Sequence, residues 1–194
     1  MKPFTNKTKT AVTIVASAAA LSGAALAQGA SGHKVAANDP NVELRVVRLG
    51  QVPGFWAVNC PIGIVNAEGW AQGDTSEASN LEREGFAAGV RELLRSKSGG
   101  MGASFVLRFR SAAGAKADLE RRERIAGSLG YATNFAVPGS PSVHAYTVRT
   151  SGSMTVRVAY TRGSDEYGIA VAAAKATDIR TLQQALAASV ARVA

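Results

Sequence analysis

Apolar and polar residues alternate from Asn41 onward, with Val42, Leu44 and Val46 on one side and Glu43, Arg45 and Val47 on the other. A period of two sends successive side chains to opposite faces, so this segment predicts a strand with one apolar face. Pro53-Gly54 then turns the chain. Two β-prone pieces, "FWAV" and "IGIV", flank Cys60-Pro61. Pro61 has no amide to give a ladder and marks an edge, a bulge or a break. The stretch "NAEGWAQGDTSEASN" has no period and reads as loop. Phe86, Val90, Leu93 and Leu94 recur at helical spacing, which predicts a helix from Phe86 to Ser96. Gly85 and Gly89 weaken it by about 1 kcal/mol each relative to Ala.

The clearest strand is "ASFVLRFRS", where Phe105, Leu107 and Phe109 oppose Ser104, Val106, Arg108 and Arg110. A helix follows directly, with Ser111 as its N-cap and Ala115, Leu119, Ala126 and Leu129 as a thin apolar stripe. Its pairs Lys116–Glu120, Asp118–Arg122 and Glu120–Arg124 have opposite signs at i,i+4 and read as a solvated face. Three alternating runs come next. Val143, Ala145 and Thr147 alternate with His144, Tyr146 and Val148; Met154, Val156, Val158 and Tyr160 line a second strand; Tyr167, Ile169, Val171 and Ala173 line a third. Turns at Ser151-Gly152 and Gly163-Ser164-Asp165 are short, which implies antiparallel hairpins. Ile179, Leu182, Leu186, Val190 and Val193 form the stripe of a closing amphipathic helix, capped by Thr177 or Asp178. This order predicts an α+β fold: a single domain with a mainly antiparallel sheet flanked by helices and a C-terminal amphipathic helix packed on the sheet.

The first 27 residues change the picture. Lys2, Lys7 and Lys9 precede a small apolar run, Ala11 to Ala27, that ends in Ala25-Leu26-Ala27. A basic start, an apolar middle and an A-x-A end make a secretory signal peptide, removed after Ala27. Residues 28–41 then form a flexible polar leader, and 42–194 the domain. No later apolar run has the roughly 18 residues of a spanning helix. The expected location is extracellular or cell-wall associated, by the general secretory route. Loss of the three signal lysines takes the formal net charge from +8 to +5. No basic run exceeds Arg121-Arg122, which argues against nucleic acid as a partner.

Candidate chemistry is sparse. Cys60 is the only cysteine, so no internal disulfide forms. His33 and His144 are the only histidines, and no zinc-ligand spacing occurs, so neither metal nor cofactor is expected. Four blocks, "GFAAGVRELL", "FVLRFRSAAGAKADL", "FAVPGSPSVHAYTV" and "GSDEYGIAVAA", resemble secreted or lipoprotein domains of actinobacteria. These include LpqN-type envelope lipoproteins and extracellular sensor-like domains. The resemblance implies a helix-flanked antiparallel sheet and an envelope location, and it transfers no catalytic residue. This chain has no lipobox cysteine.

The chain therefore reads as a secreted or cell-envelope, non-catalytic binding module for an envelope protein or a small apolar ligand. Phe55, Trp56 and Trp70 fall in irregular stretches, where binding anchors sit, and His144 joins them as a candidate contact. One alternative is a carrier or sensor of an apolar envelope ligand, held between the Ala-rich last strand and helix. Another is a cysteine hydrolase pairing Cys60 with His144, the ring oriented by Asn134 or Asp165. No nucleophile signature surrounds Cys60.

Overall fold

The computed structural model describes residues 54–58, 64–97, 99–128, 132–149, 154–173 and 179–191. His33, Cys60 and the segments expected as signal peptide, leader and first strand lie outside them. The described strands are β1 (Phe55–Ala57), β2 (Phe86–Ser96), β3 (Met101–Phe109), β4 (Ala132–Asn134), β5 (His144–Arg149), β6 (Met154–Arg162) and β7 (Asp165–Ala173). The helices are α1 (Ala67–Ala71), α2 (Thr75–Arg83), α3 (Ala112–Ser128) and α4 (Ile179–Ala191).

Seven strands form one sheet in the order β1-β2-β3-β7-β6-β5-β4, with every neighbour antiparallel. Two meanders thus meet where β3 pairs with β7, and α3 carries the chain across the sheet between them. Gly163 has φ +60° in the two-residue turn joining Arg162 to Asp165, the positive φ that a tight hairpin needs. This is the α+β architecture the alternation implied.

The register assigns each side chain to a face. On the back face, Val90, Val106, Val156, Val158, Ile169 and Val171 pack beneath Ile179, Leu182 and Leu186 of α4. Leu186, Val156, Val158, Ile169 and Val171 have no exposed surface, so no water-sized void lies against them. Each such side chain contributes about 1.5–3 kcal/mol of burial. The front face carries Phe86, Phe105, Leu107 and Phe109, covered by Ala67 of α1, Leu81 of α2 and Ala115 of α3.

Two expectations fail here and a third holds only in part. The segment Phe86–Ser96 is strand β2, not a helix. It lies between β1 and β3 and is buried on both faces, so its apolar residues do not alternate and mimic helical spacing. The stretch read as loop holds α1 and α2, fixed by their caps: Asn66 accepts from Gly69 N at 2.9 Å, and Asp74 from Ser76 N at 3.0 Å and Glu77 N at 3.1 Å. The charged face of α3 is solvated only in part: Lys116–Glu120 is an exposed pair at 3.7 Å, whereas Asp118–Arg122 is buried. Asp118 is fully buried, and Arg121 is nearly so. Arg121 donates to Glu77 at 2.7 Å, to Glu84 at 2.8 Å and to Asp118, while Arg122 donates to Asp118 at 2.7 Å and to Glu77 at 2.5 Å. Ser111 does cap α3, accepting from Gly114 N at 3.1 Å.

Candidate functional site

The α1–α2 corner places Trp70 on the front of β2. Helix α1 ends at Gln72, a non-glycine residue in the left-handed region with φ 53° and ψ 41°. Its indole lies directly on Gly89, where an added Cβ would stand 2.8 Å from Trp70 Cε3 and 2.9 Å from Phe86 Cζ. Glycine is therefore required for this approach. The indole meets Phe105 edge-on at 5.8 Å between centroids, and Phe86 at 6.5 Å.

Two residues beyond Gly89 on the same face is Arg91. Its guanidinium carbon lies 5.5 Å from the Trp70 ring centroid, a cation–π contact. The amide of Gln72, in the orientation that satisfies it, accepts from Arg91 Nη1 at 2.7 Å and also from Nη2. Arg91 Nε is enclosed and has no partner. Burial pulls the pKa of this guanidinium down, and no carboxylate offsets the effect. Among the described residues Arg91 has no anionic partner. A partly buried cation held only by an indole and a neutral amide is an unusual expense, since buried charges are ordinarily paired.

The same face continues toward the sheet edge through Leu93 and Arg95. Arg95 pairs in register with Trp56 of β1, and Trp56 is 44% exposed. Val58 N donates to Leu93 O at 2.9 Å, so β1 stays beside β2 along this strip. Both tryptophans of the chain thus share one face at one corner, with Arg91, Leu93 and Arg95 between them. Nothing in the sequence pattern singles out Arg91 or Gln72, because the β2 segment has helical spacing and the α1 segment has no period. The one usable signal was Gly89, a glycine inside an otherwise well-packed segment.

The other two expected contacts are elsewhere. Phe55 points to the back face and packs against the main core. His144 sits on β5, five strands from β1, roughly 24 Å at the usual spacing. Its Nδ1 is 2.5 Å from Glu123 Oε2 on α3, and Asn134 Nδ2 donates to Glu123 Oε1 at 3.3 Å. The residue that orients His144 is therefore Glu123, while Asp165 is engaged by Arg108 Nε at 2.8 Å and Nη2 at 2.9 Å.

A second polar cluster lies under α3. Arg157 of β6 stacks on Phe105 with its guanidinium carbon 4.8 Å from the ring centroid, and donates to Glu166 Oε1 at 2.6 Å. Glu166 has no exposed surface. Burial, and then the adjacent Asp118 charge, push its pKa well above the ordinary carboxylate value. Asp118 is held well below its ordinary value: burial opposes ionisation, but Arg122 and the hydrogen bond from Glu166 outweigh it. Glu77, Glu84, Asp118 and Glu166 face Arg121, Arg122 and Arg157, so a single proton would make the cluster neutral; burial raises both Glu84 and Glu166, and Glu166, fully enclosed, well above its ordinary value. Each guanidinium here has a carboxylate partner, unlike Arg91, although Arg157 Nε and Glu166 Oε2 are enclosed without a hydrogen-bond partner of their own.

Among the described residues no three His, Cys, Asp or Glu are grouped to hold a metal, and no helix is long and apolar enough to cross a membrane. No family model matches the chain, and no curated protein matches it. A solved structure of similar shape is the extracellular domain of PknH from Mycobacterium tuberculosis, at 15% sequence identity and a TM-score of 0.49, covering 81% of this chain and 98% of that one.

Proposed function

We propose that the chain is a secreted or cell-envelope, non-catalytic binding module. On this reading residues 1–27 are removed as a signal peptide, 28–41 form a leader, and 42–194 form the working domain. The ligand or partner docks on the Trp56–Arg91–Trp70 face. One observation carries the siting: Arg91 is a partly buried guanidinium seated on an indole, with no carboxylate beside it among the described residues. Its natural counter-charge comes from outside the described fold. Trp56, exposed at the rim of the same face, supplies apolar contact area. An interior apolar carrier has less support, because the core between sheet and α4 is filled at Leu186 and Ile169.

The test is recovery of the protein from culture filtrate of its native host, with N-terminal sequencing and mass spectrometry of molecules that co-purify. An N-terminus at Gln28, a retained molecule, and the same retention by Cys60→Ala are expected. An unprocessed cell-bound chain, or retention lost in Cys60→Ala, would refute the reading.

A further inference from the structure

Resting on that reading, we infer that Arg91 is the seat for an oxyanion, a carboxylate or phosphate attached to an apolar body, and that Gln72 is its displaceable plug. A guanidinium offers a planar fork of donors that matches carboxylate and phosphate oxygens. In the present arrangement the Gln72 carbonyl takes the outer edge of that fork, accepting from both Nη atoms. It is a neutral oxygen standing where an anionic one would bind more strongly. Gln72 is itself exposed, so its side chain can swing into solvent without opening the core. Trp70 also packs against the guanidinium, its ring centroid 5.5 Å from Cζ.

The apolar body follows from the rest of the strip. Arg91, Leu93 and Arg95 succeed one another along β2, with Trp56 opposite Arg95. At about 3.4 Å per residue, Arg91 and Arg95 lie roughly 14 Å apart. Leu93 is itself buried, so the apolar part of an anion seated at Arg91 would find its exposed apolar surface at Trp56. No carboxylate pairs with Arg91 among the described residues, so the charge of the seat favours an anion over a cation or a neutral sugar.

The chain has two tryptophans, and both are on this strip, so intrinsic fluorescence reads the site directly. The probes are dodecyl phosphate below its micelle concentration and inorganic phosphate, titrated into the purified chain. Saturable binding of dodecyl phosphate is expected, with inorganic phosphate at least tenfold weaker. Arg91→Gln should weaken dodecyl phosphate at least tenfold. Gln72→Glu should do the same by placing a carboxylate of the chain itself on Arg91, with a thermal midpoint at or above wild type. Gln72→Ala should bind more tightly than wild type. If Arg91→Gln and Gln72→Glu bind like wild type, the seat is wrong, even where a molecule still co-purifies with the secreted chain and the module reading stands. Equal affinity for the two probes would overturn the apolar body.

Discussion

Asp118→Asn should lower unfolding free energy by about 3–5 kcal/mol, the usual result of removing one partner from a buried ion pair. Asp118 has no exposed surface and joins Arg121 to Arg122. With Glu166 protonated, the three guanidiniums face three carboxylates, and the substitution leaves one surplus buried cation. Against a total stability of about 5–15 kcal/mol for a native domain, that is a large fraction. The loss should be greatest at mildly acidic pH and shrink as pH rises and Glu166 ionises to take over the missing charge.

The wild-type pH dependence follows from the same two groups. Asp118 is depressed below its ordinary 3.8, so its contribution is present above that pH and disappears as pH falls through the folded value. Glu166 is raised above its ordinary 4.5, so its contribution is present below that pH and declines as pH rises toward the folded value. Glu166→Gln, an amide in place of the protonated acid, should flatten the second limb and leave the first. Urea midpoints across pH 3–9 check both statements. A pH-independent, sub-kilocalorie effect of Asp118→Asn would show that the cluster is solvated after all.

Gly114→Ala should also unfold much of the molecule's reserve, at about 3 kcal/mol, the upper end of ordinary overpacking. Alanine is normally better than glycine in a helix by about 1 kcal/mol, so the sign itself is diagnostic. Here an added Cβ would stand 2.1 Å from the backbone carbonyl oxygen of Glu84. A backbone atom cannot rotate away, so α3 would have to lift from the end of α2 and strain the Arg121–Glu84 bond. Gly127, in the same helix, has nothing within 4 Å of an added Cβ. Gly127→Ala should therefore be neutral or stabilising. Thermal midpoints of the two variants, measured together, should fall for Gly114→Ala and hold or rise for Gly127→Ala.

The parts of the fold that could be read in advance are those where one face is buried and the other is not. The β5, β6 and β7 alternations and the α4 stripe translate directly into the back-face core. Strand β2 could not be read this way, because helices and strands bury both its sides. Helices α1 and α2 are short and take their stability from Asn66 and Asp74 caps and from docking on β2, so no apolar period announces them. The buried charges of α3 were hidden for another reason. Asp118 and Arg122 look like any surface pair until Glu77 and Glu166 arrive from elsewhere in the chain. Of the candidate contacts, Trp56 and Trp70 share the front face, while Phe55 turns to the core and His144 stands across the sheet.

The most direct measurement is mass spectrometry of what remains bound to the secreted wild-type chain and to Arg91→Gln, prepared side by side from the native host. An anionic molecule retained by the wild type and absent from the variant is the predicted result. The same molecule at the same occupancy in both would contradict the account.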